Sequence, residues 1–167
     1  MKRFFDLIVS VPLLIIVLPL IALSALFVYL SDLKNPLYIP ERVGLNKKIF
    51  NMFKIRSMLQ NADQSGVDST SASDARITPM GRLIRKFKVD ELSQLFNVVR
   101  GDMSLVGPRP NIKKETDLYT REEETLLSVR PGITDFSSIV FSDEGDILAD
   151  YPDPDIAYNQ LIRPGKG

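Results

Sequence analysis

Apolar and polar positions divide this chain unevenly. Leu7 to Leu30, "LIVSVPLLIIVLPLIALSALFVYL", carries no charged residue. As a helix it would be about 36 Å long, against roughly 30 Å of bilayer hydrocarbon. Beyond it the runs shorten. "NPLYIPERVGLNKKIFNMFKIRSM" predicts a hairpin with strands near residues 37–41 and 48–56, joined through Gly44 and Asn46. "QNADQSGVDSTSASDARITP" has no apolar period and predicts a mobile loop. Thr78 caps a helix with Pro79 at its first position, leading into "MGRLIRKFK". Leu83, Ile84 and Phe87 share a face of that helix, surrounded by Arg82, Arg85, Lys86 and Lys88. The pattern suits an interfacial helix, and equally a short solvated helix with an ordinary apolar stripe. Leu92, Leu95, Phe96 and Val99 follow the i, i+3, i+4, i+7 rule, with Gly101 as the stop. Thr120 with Glu123 forms a capping box before "ETLLSV", which ends at Arg130-Pro131-Gly132. Asp153-Pro154 starts a last short helix.

The flanks of the apolar run complicate a simple spanning helix. Lys2 and Arg3 precede it, and Lys34, Arg42, Lys47, Lys48, Lys54 and Arg56 follow. Positive charge stays on the cytoplasmic side, and here both ends are positive. Pro12 and Pro19 each remove an amide hydrogen and crowd the carbonyl four residues back, which predicts a kink at one or both. A bent helix that enters and leaves by one face satisfies both facts, provided that protein or water covers its freed backbone groups. A straight spanning helix, a cleavable signal peptide ending near "ALS" at Ala22–Ser24, and a buried core helix are the rival readings.

Composition narrows the chemistry. The 167 residues suit one domain with a modest core. They include no cysteine and no histidine, which excludes disulfides, thiolate metal sites and imidazole catalysis. Carboxylates, Lys, Arg, Tyr, hydroxyls or a hard metal ion must carry any reaction. Net charge is zero, but residues 1–60 sum to +5, 61–100 to +1 and 101–167 to −6. The basic end is the apolar end, as anionic lipid headgroups favour.

Asp90 and Glu91 stand side by side at the start of a predicted helix, where a plain cap and a first-turn acid are the simplest roles. Their surroundings ask for more. Five basic residues and no acid lie between Arg76 and Lys88, and Arg109 is held between Pro108 and Pro110. Guanidinium groups bind phosphate through paired hydrogen bonds, and a helix N-terminus favours anions. A carboxylate among these cations is expected to stay ionised, as a nucleophile toward phosphorus or a ligand for Mg²⁺. Adjacent side chains diverge by about 100° around a helix, so the two acids need not duplicate each other.

On "KRFFD" (Lys2–Asp6), the proline-containing apolar run, "KIFNMFKIRSM" (Lys48–Met58), "VDELSQLFNVVRGDMSLVGPRP" (Val89–Pro110) and "VRPGIT" (Val129–Thr134), the chain resembles the monotopic phosphoglycosyl transferases of the bacterial sugar-transferase family. The resemblance covers most of the chain up to Thr134. It implies an α+β, mainly helical fold: a re-entrant membrane helix over residues 1–33, kinked at Pro19, and a compact cytosolic domain over 34–167 with a small hairpin and interfacial amphipathic helices. The implied reaction moves a phosphosugar from a UDP-sugar to polyprenol phosphate, releasing UMP, at the cytoplasmic face of the bacterial inner membrane. Asp90 would be the nucleophile, forming a covalent phosphosugar-enzyme intermediate, and Glu91 would assist at Mg²⁺ or in proton transfer. Beyond the resemblance, Arg109 is the first candidate for the diphosphate, with Arg130 and Arg85 next, each alternatively a structural ion pair; Asp102 is a further candidate ligand, more naturally a turn residue after Gly101. Membrane phospholipid is an expected partner and nucleic acid is not. A non-catalytic, membrane-anchored module binding nucleotide-sugar or lipid phosphate is the alternative. Two departures stand out: Leu18 precedes Pro19 where family members often have Ser, and "DFSSIVFSDEGDILADYPDPD" differs from the commoner pattern. The sugar, the glycan, the lipid length and the oligomeric state are not legible.

Overall fold

The computed structural model describes residues 1–62, 70, 74–135, 147–148, 151 and 154–162. The expected loop falls largely at 63–69 and 71–73, and the divergent segment after Thr134 largely at 136–146, both outside the described residues.

The apolar run forms one helix, α1 (Lys2–Asp32), continuous through Pro12 and Pro19. Leu33 closes it in the left-handed region at φ 56°, where its N–H reaches the Tyr29 carbonyl at 2.6 Å. Only 11% of its most apolar 18-residue window is buried, which disposes of the buried-core reading. Phe4, Phe5, Ile15, Ile16, Leu23 and Phe27 are among the many apolar side chains left uncovered. A surface of this size suits lipid rather than water.

The few buried positions of α1 are the ones that dock. Ile21 and Val28 pack with Ile55 and Ile84, flanked by Leu14, Val17, Met80, Val89 and Leu92. At the N-terminal end, Lys2 Nζ donates to Ser104 Oγ and to the Val106 carbonyl, each at 2.7 Å. The Arg3 guanidinium donates to the carbonyls of Val98 and Val99. The buried Asp6 carboxylate accepts from Ser104 Oγ at 2.9 Å and from the Leu105 N–H at 3.2 Å. At the other end, Asp32 accepts two bonds from Arg56, at 2.7 and 2.6 Å.

The expected hairpin is present, split on both arms. β1 (Leu37–Tyr38) pairs antiparallel with β4 (Lys54–Ile55), and β2 (Glu41–Val43) with β3 (Ile49–Asn51). Pro40, which has no N–H to give, interrupts the first arm; its carbonyl still accepts from Met52 N at 3.0 Å. The turn runs through Gly44, with Asn46 and Lys47 in the left-handed region. α2 (Pro79–Lys86) starts as the sequence predicts, with Thr78 Oγ1 accepting from Gly81 N at 2.9 Å.

The helix expected from Asp90 to Gly101 divides into α3 (Val89–Leu92) and α4 (Leu95–Arg100). Gly101, at φ 102°, is the predicted stop. Of the predicted apolar stripe, Leu95 is buried, Leu92 packs against the first core and Val99 is half-buried, while Phe96 turns outward. Phe96 is 38% exposed, whereas Asn97 is fully buried together with Ser93, Gln94 and Val98. Ser93 and Gln94 keep helical backbone angles between α3 and α4, and the buried Ser93 and Asn97 hydrogen-bond to the backbone of Phe53 and Asn51. β5 (Ser104–Val106) pairs with β6 (Gly132–Thr134) in parallel, around a second core of Met52, Val98 and Met103. α5 (Lys113–Thr116) follows β5. The capping box closes as predicted, Thr120 N to Glu123 Oε2 at 2.7 Å and Glu123 N to Thr120 Oγ1 at 3.2 Å, but opens a 3-10 segment, Glu123–Ser128. The short helix expected at Asp153-Pro154 is α6 (Pro154–Ala157), which runs on into a π-helical segment, Tyr158–Ile162.

Candidate active site

Asp90 and Glu91 occupy the first turn of α3, directly after Lys88, which adopts the left-handed φ of 52°. That conformation is uncommon for a residue with a side chain. It turns the chain sharply out of α2, so that Arg85 at the end of one helix and Asp90 at the start of the next lie on one side. With four residues, α3 is a single turn, and its macrodipole is correspondingly small. The expected help from a helix N-terminus is therefore minor, and discrete cations set the electrostatics.

The principal cation is Lys54 on β4. Its Nζ lies 4.0 Å from Asp90 Oδ2 and 3.8 Å from Glu91 Oε1, with only 19% of the side chain exposed. Two carboxylates thus converge on one ammonium. Arg85, whose Nε donates to Ser57 Oγ at 2.9 Å, is near enough to pull on Asp90, and Arg109 is near enough to repel Lys54. Three cations face two acids, a balance that leaves positive charge for an incoming phosphate.

Burial decides the proton affinities. Asp90 is 8% exposed, and desolvation pushes its carboxyl above the ordinary 3.8, outweighing Lys54 and Arg85, which pull it down, while the neighbouring Glu91 charge pushes it up further. The sequence leads one to expect cations that keep this carboxylate ionised; burial opposes them and is the larger effect. The same burial takes Lys54 below its usual range, against the attraction of Asp90 and Glu91.

The other expected residues are placed differently. Arg109 is exposed on the Pro108–Pro110 mount, its backbone N–H donating to Asp135 Oδ2 at 3.1 Å. It borders a shallow depression shared with Gly44, Pro108, Tyr119, Val129 and Pro131. Arg130 Nε donates to the Gly101 carbonyl at 2.9 Å, a brace at the C-terminal end of α4. Asp102 is the turn residue, 3.4 Å from Arg100 Nε. Among the described residues no three acids cluster as a metal site. Asp90 and Glu91 together still fit Mg²⁺, which takes one or two carboxylates and leaves the remaining positions to water and phosphate.

Lys54 is the residue that sequence reasoning passed over, counting it only among the basic flank of α1. Its signal was a charged residue inside the alternating run "NMFKIRSM". Ser93 and Asn97 gave none, because polar residues beside an apolar stripe read as solvent-facing.

The Bacterial sugar transferase family model matches residues 1–162. The chain is 43% identical over 145 residues to an undecaprenyl-phosphate glucose phosphotransferase of Komagataeibacter xylinus, an alignment covering 83% of this chain and 27% of that protein. It is 37% identical over 142 residues to a UDP-N-acetylgalactosamine-undecaprenyl-phosphate N-acetylgalactosaminephosphotransferase of Aeromonas hydrophila, with 83% and 34% covered. To the exopolysaccharide production protein ExoY of Sinorhizobium fredii it is 37% identical over 148 residues, with 80% and 66% covered. The chain thus spans from about a quarter to about two thirds of the length of these curated relatives. The acid pair, the cations around it and the apolar helix docked beside them all lie within the matched span, and the chain belongs to the bacterial sugar transferase family.

Proposed function

We propose that this chain transfers a phosphosugar from a UDP-sugar to a membrane polyprenol phosphate; the names of two relatives give undecaprenyl phosphate and a sugar phosphotransferase, and one of them gives a UDP-sugar. The observation that carries the reading is the convergence of Asp90 and Glu91 on Lys54, with Arg85 and Arg109 in electrostatic range. An Asp90 carboxylate oxygen attacks the sugar-linked phosphorus. The bond from that phosphorus to the bridging oxygen breaks, and UMP leaves with the electron pair. The resulting acyl phosphate holds the phosphosugar on Asp90. A phosphate oxygen of the polyprenol phosphate then attacks the same phosphorus and expels the carboxylate, giving polyprenol diphosphate-sugar. Lys54, Arg85 and Arg109 offset the charge of the phosphates, and Glu91 orients the site or relays a proton. Asp90 and Glu91 would hold Mg²⁺, which would supply further neutralisation of phosphate charge.

The topology reading has its own support. Lys2, Arg3 and Asp6 at one end of α1, and Asp32 at the other, bond to the same folded unit. A helix whose two ends are tied to one domain enters and leaves a bilayer by the same face. Pro19 leaves the Ile15 carbonyl without its helical donor, and Leu18 offers no hydroxyl to answer it, so Pro19 is the natural bend. Residues 1–33 then form the re-entrant element and 34–167 the domain at the cytoplasmic face, where the basic flanks lie.

The test is adduct trapping. Purified protein with Mg²⁺ and a panel of radiolabelled UDP-sugars releases UMP and retains label on Asp90, and added polyprenol phosphate discharges it. Asp90→Asn abolishes the label. Label of normal yield in that variant overturns Asp90 as nucleophile, and tight UDP-sugar binding without UMP release returns the binding-module alternative.

A further inference from the structure

Asn97 is fully buried, and a buried amide must be satisfied on both sides. Its Oδ1 accepts from the Phe53 N–H at 2.9 Å, and its Nδ2 donates to the Asn51 carbonyl at 2.7 Å. One turn earlier, the buried Ser93 Oγ lies 3.0 Å from the Phe53 carbonyl and 2.9 Å from the Asp90 carbonyl. A hydroxyl has a single proton to donate, so it is shared between them. Both peptide groups of Phe53 are therefore held by side chains from the α3–α4 unit, and Phe53 immediately precedes Lys54. Lys54 itself lies in the two-residue ladder of β1 and β4, where it faces Tyr38.

We propose that Ser93 and Asn97 are positioning residues that fix Lys54 against the Asp90–Glu91 pair, through the Phe53 peptide groups. The Ser93 hydroxyl is the direct link, because it touches the Asp90 backbone and the Phe53–Lys54 peptide at once. Asn97 holds the other side of Phe53 and ties it to the end of β3. The brace explains why two polar residues are buried beside Leu95 and Val98 on these helices. Neither residue touches substrate; each acts through Lys54.

The inference rests on the reaction proposed above, so the test has one arm that needs no reaction. In the first arm, Ser93→Ala lowers kcat about tenfold with KM within twofold, and Ser93→Thr restores most of it by keeping the hydroxyl. In a Lys54→Met background, adding Ser93→Ala costs less than twofold, because the group being positioned is gone. Equal costs in the two backgrounds would show a general structural role and overturn the proposal. In the second arm, site-resolved labelling with an amine-reactive ester accelerates several-fold at Lys54 in Ser93→Ala, with the exposed Lys34 unchanged as the internal control. Unchanged Lys54 labelling overturns the brace even if wild-type protein shows no transferase activity, an outcome that would itself sink only the reaction. Asn97→Ala is expected to act in the same direction, and if it fails to fold, the Ser93 variants still decide the question.

Discussion

Gly81→Ala isolates how the fold delivers Arg85 to the acid pair. Gly81 lies in α2, where alanine would ordinarily stabilise by about 1 kcal/mol through helix propensity. Here a Cβ would sit 1.8 Å from the Ser57 carbonyl oxygen and 2.6 Å from its carbon. Both are backbone atoms, so no side chain can rotate away. The two segments must part by about 1.2 Å to reach even 3.0 Å, the closest approach real Cβ atoms show. That separation strains the bond from Thr78 N to Ser57 O, 3.1 Å, and the one from Arg85 Nε to Ser57 Oγ, 2.9 Å. Overpacking costs about 1–3 kcal/mol, and the two hydrogen bonds about 1 kcal/mol for the first and 1.5–3 for the charged one. Against the propensity gain, the net expectation is a loss of about 2.5–6 kcal/mol, a Tm lower by on the order of 10 °C for a chain of this size. The assay is thermal unfolding of purified protein in detergent, alongside kcat/KM. Because Arg85 loses its Ser57 anchor, turnover should fall at temperatures where the variant is still folded. A Gly81→Ala protein as stable as wild type, with unchanged turnover, would refute the close α2–Ser57 contact and the delivery of Arg85 that depends on it.

Three further outcomes are expected. Asp90→Asn should raise stability at neutral pH while abolishing adduct formation: burial lifts the folded-state value above 3.8, so the contribution of Asp90 to stability is fully present below 3.8 and lost as pH rises through the raised value. Unfolding midpoints of the two proteins should therefore converge near pH 4, and a wild-type advantage at pH 7 would contradict the burial argument. Asp32 behaves oppositely, because the Arg56 hydrogen bonds hold it at about 2; its contribution is present above 3.8 and lost as pH falls toward 2, and Asp32→Asn should remove that acid-sensitive step from an unfolding titration. Cysteines introduced at positions 2 and 34 of this cysteine-free chain should be labelled from the same side of oriented membranes, and opposite-side labelling would establish a spanning helix.

Local signals in the sequence determined a good part of this protein. The uncharged run, the Thr78 cap, the Gly101 stop, the Thr120–Glu123 box and the hairpin around Gly44 are each decided by a few neighbouring residues, and each appears where those residues place it. The adjacency of Asp90 and Glu91 and the stiff mount of Arg109 are equally local. Tertiary structure alone decided the rest, because it depends on which distant segments share a buried volume. Lys54 becomes part of the site because a strand 36 positions earlier in the chain docks beside α3. Ser93 and Asn97 join Leu95 and Val98 on the inward side of α3 and α4 because a neighbouring peptide needs their hydrogen bonds, a demand no periodicity carries. The proton affinity of Asp90 follows burial rather than the count of nearby cations, and burial comes into being only when α1, α2 and the hairpin close over one another.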